Sequence, residues 1–153
     1  MLEMNFEYSF EKISCKDVEN FEKIRNVTLP YDYKQFLLLN NGGKPIKRRF
    51  QSKDGKITSS LMMYFPISES VEISLDEKYK IYSIGKIVPS NFLPIGIDPA
   101  DSLICLSVSG NDIGKVYFCD MDYFEEDNEL KKEFISLISN SFTEFTGSLY
   151  IPE

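Results

Sequence analysis

The stretch Leu93 to Asp120, LPIGIDPADSLICLSVSGNDIGKVYFCD, constrains this chain more than any other segment. Ile104, Leu106 and Val108 fall on one face by the two-residue period of a strand, and Val116 and Phe118 do the same. Three short strands follow, over Phe92–Ile97, Ser102–Ser109 and Lys115–Asp120. Turns at Asp98-Pro99-Ala100-Asp101 and Gly110-Asn111-Asp112-Ile113-Gly114 separate them. Matching the apolar faces puts Leu106 opposite Phe118 and Val108 opposite Val116, with Cys105 across from Cys119, or else displaces the register by two residues. The stretch is the framework of an α+β domain whose even-numbered residues face the core.

Helices precede it. Ser14 with Asp17 forms an Asp variant of the capping box, opening a short amphipathic helix through Val18, Phe21 and Ile24 or Arg25 that ends before Thr28. Pro30 suits the first turn of a second helix, with Tyr33, Phe36, Leu37 and Asn40 at helical spacing and Asn41-Gly42-Gly43 as its stop. After the framework, Phe134, Leu137, Ile138, Ser141, Phe142 and Phe145 make one stripe. They predict a C-terminal helix ended by Gly147, with Asp127 and Glu129 favouring its N-terminal end. Between Pro66 and Pro89 the pattern is ambiguous: Val71, Ile73 and Leu75 alternate like a strand, while Asp76 to Lys80 has the look of a solvated helix. With 153 residues and no linker or repeat, residues 1–153 make one domain.

Composition excludes several functions. With no His in the chain, His-containing metal sites and His-based triads are ruled out. Cys15, Cys105 and Cys119 are too few and too irregular for a disulfide framework or a zinc ribbon. The acidic start MLEMNFEYSFEK lacks the pattern of a secretory leader, and no apolar run reaches the ~20 residues of a membrane span. A reducing cytoplasm is the expected location. A net charge of −7 argues against direct nucleic-acid binding and fits a basic protein partner.

Chemistry-bearing patterns are few. Asp120-x-Asp122 invites a calcium-loop reading, but the fifth, sixth and twelfth loop positions hold Phe124, Glu125 and Lys131. Asp98 and Asp101 flank a Pro-Ala turn, where carboxylates usually bond backbone N–H groups rather than act as acid and base. No phosphate-binding loop is present, and no cofactor or catalytic residue is expected. What stands out is charge separation. Lys44 to Lys56 carries a local charge of +5 on an expected hairpin, with strands near Ile46–Lys53 and Lys56–Phe65 and a type I′ turn at Asp54-Gly55. That strip reads as an edge hairpin guarded by cations. Asp120 to Glu133 carries −5 directly after a strand, so it can present charge from a rigid anchor.

The residues also resemble a family. Leu29-Pro30-x-Asp32-Tyr33-Lys34-x-Phe36-Leu37 with Asn40-Asn41-Gly42-Gly43 is similar to the opening helices of the SUKH superfamily, which includes fungal cell-wall-assembly regulators and bacterial immunity proteins. Leu93-Pro94-Ile95-Gly96-x-Asp98, Gly114-Lys115-Val116-Tyr117-Phe118, and Ser141-Phe142-x-x-Phe145 with Leu149 resemble its later motifs in order. Cys119 stands where members often carry an aromatic, commonly Trp, which puts a Trp-based contact in doubt. The resemblance implies a mixed, mainly antiparallel sheet flanked by N-terminal helices and a C-terminal helix, with a helical element within Ser68–Tyr82. It also implies a non-catalytic intracellular antitoxin that binds a cognate toxin, often a basic nuclease. The alternative is a regulatory scaffold or sensor domain. The candidate contacts are Asp98, Asp101, Asp120, Asp122, Glu125, Glu126 and Asp127.

Overall fold

The computed structural model describes residues 5–126 and 128–151. Its centre is a five-stranded antiparallel meander, in spatial order β5 (Met63–Tyr64), β6 (Phe92–Ile97), β7 (Leu103–Ser107), β8 (Val116–Cys119) and β9 (Ile135–Ser139). Two small antiparallel pairs flank it: β1 (Phe6–Tyr8) with β2 (Lys44–Pro45), and β3 (Arg49–Gln51) with β4 (Thr58–Ser60). Helices α1 (Cys15–Arg25), α2 (Tyr31–Leu39), α3 (Leu75–Lys78) and α4 (Phe142–Ser148) complete an α+β fold in which every strand pair is antiparallel.

The first two helices form where the sequence places them. Ser14 and Asp17 make the capping box, the Asp17 carboxylate accepting from the Ser14 N–H at 2.8 Å. The same hydrogen bond, with that of the Ser14 hydroxyl, holds the Asp17 carboxyl below its usual range. In α2, Tyr33, Phe36 and Leu37 are buried, and Gly42 and Gly43 follow at positive φ. A Cβ on Gly43 would sit 2.1 Å from the Tyr8 carbonyl oxygen, so only glycine fits there.

In the sheet, the second of the two registers is the one realised. Leu106 pairs with Val116, Ile104 with Phe118, and Cys105 with Tyr117. The hairpin closes at Ser107, whose C=O accepts from Gly114 N–H at 2.8 Å, while Val108 turns away to donate to the Asn91 carbonyl at 2.9 Å. The connection is therefore longer than its two bounding glycines suggest. Cys105 and Cys119 become diagonal neighbours, their sulfurs 3.8 Å apart, both free and buried.

Both faces of this sheet are covered, and all five residues of β7 are buried. The even-numbered face meets α2 and α4 through an aromatic cluster, with Phe36 4.9 Å from Phe142, Tyr64 4.7 Å from Phe36, and Phe50 bridging Phe118 and Phe145. Asp32 clips the two helices together, accepting from the Thr143 N–H and hydroxyl, each at 2.9 Å. The even-numbered rule holds for β7 and β8 but not for β6, where Leu93 pairs with Leu106; on the opposite face Phe92, paired with Ser107, stacks on Tyr117 at 4.8 Å.

Two expectations are corrected and one open choice is resolved. The long C-terminal helix is a strand followed by a helix. Ile135–Ser139 completes the ladder along β8, and the free edge of β8 outweighs the helical spacing of the stripe. The helix begins only after Ser141, whose hydroxyl accepts from Glu144 N–H at 3.0 Å, so Glu129 does not sit at its N-terminus. Asp127 lies outside the described residues. The Asp54-Gly55 hairpin forms, but only Gly55 has positive φ. The Gly55 N–H donates to the Ser52 carbonyl at 3.0 Å, and the Asp54 carboxylate takes the Ser52 hydroxyl and the Lys56 N–H, so the turn is not type I′. Finally, Val71–Ile73 forms no strand. The ambiguous region holds α3 and, directly after it, a wide π-helical turn over Tyr79–Ile84, in line with the helical element that the resemblance implies. The Ser83 hydroxyl of that turn donates to the Phe92 carbonyl on β6.

Candidate functional site

The β6–β7 turn is built around Asp98. Pro99 suits the position after it because its ring fixes φ near the value a tight turn needs. Asp101 N–H donates to the Asp98 carbonyl at 3.1 Å, closing the turn. The Asp98 side chain, only 6% exposed, takes three hydrogen bonds. Its Oδ1 accepts from the N–H groups of Ala100 (3.0 Å) and Ser102 (2.8 Å), and its Oδ2 from the Ser59 hydroxyl (2.8 Å). Asp98 is thus a staple within the turn, while Asp101, at φ +66°, is exposed at its tip.

The β7–β8 register brings a second acidic segment to the same end of the sheet. Leu103 pairs with Cys119, so Ser102 lies beside Asp120, and the Met121 N–H donates to the Ser102 hydroxyl at 3.0 Å. Asp120 caps a single 3₁₀ turn, Met121–Tyr123, accepting from Asp122 N–H at 3.1 Å. Tyr123 stacks on Phe134 with ring centres 4.2 Å apart and planes nearly parallel. Farther on, buried Leu130 donates its N–H to the Ile87 carbonyl at 2.8 Å. The acidic loop is therefore anchored at both ends, with Asp122, Glu125 and Glu126 exposed between.

Of the seven candidates, then, Asp101, Asp120 and Asp122 lie at one sheet end, Glu125 and Glu126 stand exposed farther along the anchored loop, Asp98 is folded inward, and Asp127 lies outside the described residues. None of the five exposed or partly exposed acids pairs with Lys or Arg among the described residues. The basic strip differs: Lys44 and Arg48 pair with Glu7, Lys53 pairs with Glu144, and Arg49 donates to the Ser60 hydroxyl. The two charged regions are not equivalent, because three of the strip's six cations have a carboxylate partner and the five acids have no cation partner among the described residues.

Sequence reasoning missed a polar cluster at the opposite end of β7. Asp112 accepts from the Ser107 hydroxyl (2.8 Å), the Asn91 amide (3.2 Å) and the Tyr117 hydroxyl (2.8 Å). Burial alone would raise the Asp112 carboxyl, but the Ser107 and Tyr117 hydrogen bonds outweigh it and hold the group below its usual range. Burial, and then that same bond, push the Tyr117 hydroxyl up to about 12. The signal was Asp112 between two turn glycines, five residues before an outward-facing Tyr. The cluster fastens the hairpin, with three donors committed to the Asp112 carboxylate.

Burial pushes the Cys105 thiol up, and the adjacent Cys119 adds to it, so the Cys105 sulfur does not resemble an activated nucleophile. Among the described residues no group of His, Cys, Asp or Glu could hold a metal ion, and no helix is long and apolar enough to cross a membrane. The arrangement can present fixed negative charge to a partner.

A search of curated proteins finds no match to the sequence. The sequence model of the SMI1 / KNR4 family (SUKH-1), a family associated with immunity proteins and regulators that are generally non-catalytic, matches residues 12–148. With most of its length matched, in-order motifs and an α+β fold, the chain belongs to the SMI1 / KNR4 (SUKH-1) family.

Proposed function

We propose that this protein is an intracellular immunity protein that binds and neutralises a secreted toxin, a basic nuclease being the best chemical fit. The observation that carries the reading is the uncompensated acidic end of the sheet. Asp101, Asp120, Asp122, Glu125 and Glu126 come from two segments locked together at Ser102, with no cation drawn onto them among the described residues. A nuclease binds phosphate through a basic groove, and carboxylates held on short anchored turns can occupy such a groove in place of the nucleic acid. Anchoring matters because little conformational freedom is then lost on binding. The protein acts by covering the toxin's groove, without turnover of its own.

The test is protection. The product of each adjacent gene is expressed with and without the protein, and growth is measured. Protection by the wild type, and its loss on Asp122→Lys, Glu125→Lys and Glu126→Lys together, is the expected outcome. A purified complex that forms with a host protein while no neighbouring product is toxic would favour a regulatory scaffold instead.

A further inference from the structure

A broad concavity lies away from the acidic sheet end. It is a groove of about 1290 Å³ between the Phe10–Ile13 segment with α1 on one side and residues 67–81 on the other. That exceeds the roughly 300–1,000 Å³ of a small-molecule pocket. Its walls mix apolar and acidic side chains, and both expose large apolar ones at the lip: Ile24 is 72% exposed on one side, and Ile81 is 47% and Ile73 37% exposed on the other.

The walls are fixed in place. Buried Asn41 lies at their base, its amide donating to the carbonyls of Glu11 and Ile67, each at 2.8 Å, and its Oδ1 accepting from Ile67 N–H at 2.9 Å. Arg25 of α1 reaches across to Asp76 of α3 in a two-pronged pair at 2.5 and 2.8 Å. A groove tied at both points is preorganised for an occupant.

Its charge selects the occupant. Six carboxylates line it against Lys12 and Lys78. Asp17 and Asp76 are committed to the α1 cap and to Arg25, and Lys78 turns toward the rings of Phe65 and Tyr82. Glu11, Glu69, Glu72 and Glu77 have no cation partner among the described residues. An anionic lipid surface would be repelled, whereas an apolar stripe bordered by Lys or Arg is complementary.

We propose that this groove is a second docking surface, which takes a basic amphipathic segment of a protein partner. It uses residues distinct from the acidic sheet end and stands whether or not that end binds a toxin.

The experiment titrates isotope-labelled full-length protein with a synthetic Leu/Lys amphipathic helical peptide, and with a Leu/Glu peptide of the same apolar pattern. Amide shifts confined to residues 10–25 and 67–81, with the Lys peptide only, are expected. Ile73→Asp with Ile81→Glu should weaken binding at least about tenfold. Glu69→Lys with Glu72→Lys should weaken it and flatten its salt dependence, while Glu129→Lys with Glu133→Lys, an equal charge change elsewhere, should leave it intact. All six positions are exposed, so unchanged thermal midpoints would certify folding. Shifts elsewhere, equal binding of the Glu peptide, no binding, or a self-associating protein that Ile81→Glu turns into a monomer would each overturn the proposal.

Discussion

Replacing Asp98 by Ala tests whether this carboxylate is a staple or a contact. Its two oxygens satisfy the N–H groups of Ala100 and Ser102 and the hydroxyl of Ser59 at 2.8–3.0 Å, in a residue only 6% exposed. After truncation the Ala100 N–H, in an exposed residue, finds water, and the Ser59 hydroxyl rotates. The Ser102 N–H, in a buried residue, is left unpaired, a loss of about 1–3 kcal/mol. Two further charge-assisted bonds disappear, partly offset by removal of a buried charge. The net cost should be about 2–3 kcal/mol, a large share of the roughly 5–15 kcal/mol typical of a domain. Asp98→Asn keeps one acceptor oxygen for the two N–H groups and can donate to Ser59, so it should cost no more than about 1 kcal/mol. Ser59→Ala should be similar, and the double variant with Asp98→Ala less than additive. Urea unfolding reads these as midpoint shifts at constant slope. An Asp98→Ala protein within about 0.5 kcal/mol of wild type would refute the reasoning, since surface changes commonly fall in that range.

Other outcomes follow from the same structure. Gly43→Ala puts a methyl 2.1 Å from the Tyr8 carbonyl oxygen on a residue held at φ +112°, and calorimetry should show a loss of about 3 kcal/mol or more. Tyr33 and Tyr64 bury hydroxyls that find no partner among the described residues, and burial holds both well above the usual phenol range; Phe at either site should be neutral or stabilising by about 1 kcal/mol in urea melts. A thiol reagent should label exposed Cys15 at once and reach Cys105 and Cys119 only on unfolding. The folded Asp112 carboxyl lies below its unfolded value, so its stabilisation is present above that unfolded value and fades as pH falls through the folded one. Tyr117 is raised to about 12, so its contribution is full below the unfolded value near ~10 and fades as pH rises through about 12. Urea midpoints against pH should lose part of the acid limb in Asp112→Asn and part of the alkaline limb in Tyr117→Phe.

Local signals that name their own partners were legible in the sequence. The Ser14–Asp17 box, the Gly42-Gly43 stop and the three-strand core each rest on contacts within a few residues, and each is present. What failed depended on distant neighbours. Phe134, Leu137 and Ile138 fit a helix, and only the open edge of β8 makes that segment a strand; Ser141 with Glu144 was the nearby sign that the helix starts later. The register was left open between two choices because the loop length depended on Asp112 bonding to Ser107, Asn91 and Tyr117. At the acidic surface the residue types were legible but not their grouping. Only the pairing of Leu103 with Cys119 shows that Asp101 and Asp120 are neighbours and that Asp98 points inward. The groove left no periodic trace, since its walls lie more than forty residues apart and meet through Asn41.

The most direct test of the account is the association rate with the product of an adjacent gene that proves toxic when expressed alone, followed by stopped flow over a range of salt concentrations. Wild-type association should be fast and fall steeply with salt, and reversal of Asp122, Glu125 and Glu126 to Lys should slow it by at least about tenfold and flatten the dependence. An unchanged rate and an unchanged salt slope in the triple variant would contradict the claim that the acidic end of the sheet is the binding surface.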